Sequence, residues 1–154
     1  MSKATFVYVT YIAATPEKIW DALINEEITR QYWGHGNISD WKPGSPWEHR
    51  VSDNAKQVHI VGKVIENDPP RRLVITWSPP ADRDQPEKVS RVTFDIEPAS
   101  HANTHKLVAA ATRLTVTHDE LEPNSDMHKS ISGGWPVVLS GLKTLLETGK
   151  TLSK

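Results

Sequence analysis

The chain has 154 residues, 37% of them hydrophobic, with 18 Lys and Arg against 19 Asp and Glu for a net charge of −1. That length suits a single domain over 1–154 with a full core, and the balanced charge excludes the broad basic surface that non-specific nucleic-acid binding needs. With no cysteine, disulfides, iron–sulfur clusters and thiolate zinc sites are ruled out. No apolar run approaches the roughly 18–20 residues of a membrane span. The start, MSKATFVYV, lacks the pattern of a secretory signal, so the expected setting is the cytoplasm.

TFVYVTYI (5–12) is rich in β-branched and aromatic residues and predicts a strand. Thr15 then offers an N-cap and Pro16 a first helical position, and Ile19, Trp20, Leu23 and Ile24 give PEKIWDALI an apolar stripe. NEEITRQYW (25–33) predicts a second short helix, begun at Asn25 and ended before Gly34, with WGHG as a turn. WKPGSPWEHRV carries a Pro-Gly turn into a strand, and KQVHIVGKVIEN is another. NDPPRR must turn, because two prolines continue neither structure. RLVITW (72–77) is a strand, followed by the loop SPPADRDQPE. KVSRVTFDIEP (88–98) alternates, with Val92, Phe94 and Ile96 on one side, and ATRLTVTHDEL (111–121) puts Leu114, Val116 and His118 on one face.

EPNSDMHKSISGG reads as a polar loop before the last helix. Trp135, Val138, Leu139, Leu142, Leu145 and Leu146 recur at threes and fours and predict that helix over 135–148. Pro136 would sit early, where its missing N–H does no harm, and Gly149 would stop the helix. Leu142 and Leu145 should then be nearly inaccessible. The order of elements indicates an α+β fold, with an antiparallel sheet of six or seven strands packed on a long C-terminal helix and two short helices after the first strand.

IAATPEKIWDAL, WKPGSPWEHR, GKVIENDPPRRLVITW, TRLTVTHDEL and GGWPVVLSGLKTLL together resemble the activator of heat-shock-protein-90 ATPase homologues of the C-terminal-domain type, in the START-like (SRPBCC) superfamily. The resemblance runs from about Thr5 to Glu147. It implies a helix-grip fold, in which a curved antiparallel sheet wraps the C-terminal helix and leaves a cavity between them. It also implies that Trp135 stands near the cavity mouth. Where relatives commonly carry a double glycine after the WKPG-type turn, this chain has Ser45 and Pro46, which stiffen the start of the strand, and Trp47, which adds bulk. The superfamily holds carriers and cyclase-like enzymes, so fold alone does not choose between them.

The candidate ligand-binding residues are Trp33, His35, Trp47, His49, Trp77, His118 and Trp135. Six tryptophans against two phenylalanines suit surfaces that are only partly dry, because Trp joins an apolar body to an N–H donor. His118 is either a polar group in an apolar cavity or a histidine satisfied at a strand end. Metal binding is not expected. His101 and His105 in HANTH are four apart, but Asn, Thr and Ser around them argue for a loop. The tail GKT lacks the glycine of a phosphate loop, since Thr144 stands there and a helix precedes it.

No serine lies in a nucleophile elbow, and no cofactor is implied. Three readings stay open. The chain is a binder of a small apolar or aromatic ligand, or a protein-interaction module whose partner is a chaperone, or a cyclase- or hydrolase-like enzyme using a cavity histidine. Either a monomer or a homodimer suits all three.

Overall fold

The computed structural model describes residues 2–51, 54–99 and 111–152. β1 (Ala4–Ile12) leads to α1 (Pro16–Ile24) and α2 (Glu26–Trp33). β2 (His35–Ile38), β3 (Pro46–Val51), β4 (Asn54–Asp68), β5 (Arg72–Trp77), β6 (Ser90–Pro98) and β7 (Thr112–Leu121) follow, and α3 (Asp126–Thr148) closes the described chain. The strands form one seven-stranded antiparallel sheet ordered β1-β7-β6-β5-β4-β3-β2. This is the α+β architecture expected from the order of segments, in the helix-grip form that the resemblance implies.

Local chemistry places the short helices. The Thr15 hydroxyl accepts from Lys18 N at 3.2 Å and caps α1, and Asn25 Oδ1 accepts from Glu27 N at 3.0 Å and caps α2. Gly34 ends α2 at φ 80°, a left-handed conformation that glycine adopts without strain. WGHG is therefore not a turn throughout. His35 already begins β2, where it pairs with Val51, and Asn37 pairs with His49. Four residues with two polar members carry no readable alternation, which is why the strand is hidden in the sequence.

The last helix starts earlier than its apolar face suggests. Ser125 caps it by accepting from His128 N at 3.1 Å, Asp126 complements its positive end, and Pro136 lies inside it. The segment expected to be a polar loop is thus helical from Asp126. An interior proline costs about 3 kcal/mol. Opposing that cost, the added turns bring Met127 and Ile131 onto the core, and each well-buried side chain of that size returns about 1.5–3 kcal/mol. The cap adds about 1 kcal/mol more. Trp135 consequently stands near the middle of the helix and not at its N-terminal end.

Val92, Phe94 and Ile96 of β6 and Leu114, Val116 and His118 of β7 face inward, all buried. Against them α3 sets Ile131, Trp135, Leu139 and Leu142, again all buried, with Leu142 fully so. Leu145 departs from expectation and is only half-buried. Leu146 is the residue in register with Leu139 and Leu142 that packs on the core, and Leu145 lies on the flank of that stripe. The C-terminal end of α3 is tied to the end of β1, where Lys143 Nζ donates to Tyr11 O and Ala13 N to Glu147 Oε2, both at 2.7 Å. Among the described residues, no helix is long and apolar enough to cross a membrane.

Candidate functional site

The sheet and α3 do not close completely on each other. A cavity of about 310 Å³ lies between them, towards the β2–β3–β4 side. Its aromatic walls are Trp33 from the end of α2, Trp77 from the end of β5 and Trp135 from α3. Trp33 and Trp77 are stacked with centroids 6.3 Å apart, and each lies 5.4 Å from the Trp135 ring. The helical wall is one face of α3: Met127, Ser130, Ile131, Gly134, Trp135 and Val138, at spacings of three and one. His35, His49 and His59 with Ile60 complete the lining. Among the described residues, no Asp, Glu, Lys or Arg lines this cavity.

His49 stays neutral for a physical reason. Burial, with the neighbouring His35 and His59 adding to it, pushes the His49 imidazole down to about 3. His49 Nδ1 donates to Asn37 Oδ1 at 2.6 Å, which leaves Nε2 as an acceptor with no donor on it among the described residues. The His35 ring stacks on His49 at 4.5 Å and 5°. His35 Nε2 and His59 Nδ1 share a hydrogen bond of 3.0 Å.

Two of the residues singled out in the sequence stand behind the wall. Trp47 is buried in the next layer, 5.5 Å from Trp77, and its Nε1 donates to Thr76 O at 2.8 Å. Gly62 makes that approach possible, because a Cβ there would stand 1.9 Å from Thr76 O and 2.5 Å from Trp47 Nε1. His118 is fully buried between Trp77 and Trp135. Trp135 Nε1 donates to His118 Nδ1 at 3.0 Å. An indole N–H can only donate, so the imidazole proton is on Nε2 and goes to Ser90 Oγ at 2.7 Å. Ser90 Oγ in turn donates to Trp77 O at 3.2 Å. Burial holds His118 down to about 3, and both its nitrogens are engaged. It positions Trp135 and has no lone pair to offer a ligand.

Trp33, His35, His49, Trp77 and Trp135 are therefore brought to one cavity, and Trp47 and His118 support it from behind. His59, Met127, Ser130, Ile131 and Gly134 were not foreseen. The signal that pointed to the helical four was the Ser125–Asp126 cap, which extends α3 over them. Nothing assembles a metal centre among the described residues. His101 and His105 lie outside the described residues.

The profile of the family described as Activator of Hsp90 ATPase homolog 1-like protein matches residues 13–147. No match is found among curated proteins. Among solved structures, the Aha1 dimer from Colwellia psychrerythraea superposes with a TM-score of 0.74 at 21% identity, covering 96% of this chain and 98% of that one. MLL2253 from Mesorhizobium loti gives 0.73 at 23% identity over 93% and 96% of the two chains. ChR145 from Cytophaga hutchinsonii gives 0.71 at 25% identity over 97% of each. These likenesses show that the chain shares its fold with those structures.

Proposed function

The chain belongs to the Activator of Hsp90 ATPase homolog 1-like family, and from that premise we propose that it binds a small apolar or aromatic molecule in the cavity between sheet and α3. The carrying observation is the cavity itself, about 310 Å³ walled by Trp33, Trp77 and Trp135. That volume is at the lower end of ordinary ligand sites. Three indole faces offer stacking, and the unused Nε2 of His49 offers one polar anchor. The part of the ligand held in this cavity is neutral or weakly polar, because the described lining provides no counter-charge to pair with an ion. Trp33, His35, His49, Trp77 and Trp135 touch it, and Trp47 and His118 hold those walls in place. No cofactor or metal is needed for this role, and a cytoplasmic monomer or homodimer serves it equally.

The test is a titration with 1-naphthol, read by tryptophan emission and by melting temperature. A ligand at a hundred times its dissociation constant adds about 2.7 kcal/mol to stability. Gly134 lines the cavity, and a Cβ placed there meets nothing within 4 Å. Gly134→Leu should fill the cavity while gaining about 0.8 kcal/mol of helix propensity. The expected outcome is saturable quenching in the natural protein, and a folded, no less stable Gly134→Leu variant that shows none. Equal quenching in both proteins would put any binding elsewhere and overturn the reading.

A further inference from the structure

A second hollow, of about 390 Å³, opens on the other side of the first turns of α3. Ser90 and Leu121 line it from the sheet, Asp82 and Lys88 from the loop between β5 and β6, and Ser125 and Asp126 from the start of α3. Met127 and Ser130 line both hollows, so they are two faces of one wall. Ser130 is short. Met127 is the larger of the two side chains that the hollows share.

Met127 is suited to move. Its thioether has three rotatable bonds and packs adaptably. Its Sδ accepts from Trp77 Nε1 at 3.3 Å, and sulfur is a weak acceptor for a buried indole donor. An oxygen on a bound ligand is a better partner for that N–H, and by taking it would release Met127. The two hollows also differ in kind along the line joining them. The inner one is walled by indoles, imidazoles and aliphatic groups, and the outer one adds to Pro79 and Leu121 the charged Lys88, Asp82, Glu122 and Asp126 and the hydroxyls of Ser90 and Ser125. Behind Met127 the walls are joined rigidly. Trp135 of the inner hollow is bonded through His118 to Ser90 of the outer one.

We propose that the two hollows are chambers of one site, that Met127 is the removable septum between them, and that the ligand is an elongated amphiphile. Its apolar or aromatic body lies against the tryptophans, with an acceptor oxygen at Trp77 Nε1. Its amine- or hydroxyl-bearing head lies in the outer chamber. The inference rests on the binding reading above and deepens it, making Met127 the residue that sets ligand length.

The experiment compares 1-naphthol, which occupies the inner chamber alone, with 8-(1-naphthyloxy)octylamine, which carries an ether oxygen and an amine head. Both are titrated into the natural protein, Met127→Trp and Met127→Ala, with Met127→Phe as a milder plug should the Trp variant fold poorly. The long probe should bind the natural protein at least tenfold more tightly than 1-naphthol. The plug should abolish that advantage, so that the two probes bind the plugged variant with equal affinity, and Met127→Ala should raise long-probe affinity. Equal affinity of the two probes for the natural protein, or equal loss of both in the plugged variant, would overturn the septum. Absence of binding by either probe would instead overturn the binding reading on which it rests.

Discussion

His118 and His49 are buried almost alike, at 0% and 5% exposure, and burial holds both imidazoles down to about 3. Their surroundings nevertheless do opposite work. Around His118 the polar bonding is complete: one nitrogen accepts from Trp135, the other donates to Ser90, and the serine closes on the Trp77 carbonyl. Around His49, among the described residues, it is not. One nitrogen is spent on Asn37, the ring faces are covered by His35 and Trp33, and the residue borders a hollow. Neither burial nor a shifted titration separates a structural histidine from one that can meet a ligand. Hydrogen-bonding capacity left over beside empty space does.

The largest effect that could break this contrast comes from His118→Ala. It leaves a ring-sized void and strands the Trp135 N–H, and a loss of about 3–4 kcal/mol is expected in urea denaturation. A loss below about 1 kcal/mol would mean that the network around His118 is not closed. Acid is the next lever. Both histidines are neutral when folded, and in the unfolded chain they take up a proton near their ordinary value of about 6.5. Their stabilising share is therefore complete above about pH 6.5 and declines as pH falls towards about 3, where the folded groups titrate. Moving from pH 7 to pH 5 should cost about 2 kcal/mol for each histidine. A His49→Leu variant should show only the His118 share of that decline, and an unchanged slope would refute the assignment for His49. The smallest effect is on the stability of that same variant at pH 7. It leaves Asn37 Oδ1 without its donor and should lose about 1 kcal/mol, well short of the His118 loss.

Much of this was readable in the chain because it depends on neighbours in sequence. The alternation of Val92, Phe94 and Ile96 and of Leu114, Val116 and His118 appears as inward faces of β6 and β7, and Thr15, Asn25, Gly34 and Gly149 stand at the helix ends anticipated for them. The start of α3 was misread where two local signals disagreed. Gly133, Gly134 and Pro136 speak against a helix, Ser125 and Asp126 speak for one, and only the packing of Met127 and Ile131 on the core decides between them. β2 escaped notice because its four residues carry no alternation of their own, and only pairing with β3 reveals it as a strand.

The binary pattern and the caps settled by themselves that this is a sheet-and-helix domain with an amphipathic last helix, since a period of two or of three to four is a property of consecutive residues. They also singled out tryptophans and histidines as the side chains able to serve a site. Which of them meet was decided by the tertiary structure. Trp33, Trp77 and Trp135 sit at the ends of α2 and β5 and in mid-α3, and they come within 6.3 Å of one another only through the antiparallel register and the seating of the helix. The same long-range packing put His49 beside the hollow and His118 behind its wall. Two histidines on alternating strands look equivalent in sequence, because the space left between packed elements is not a property of any one of them.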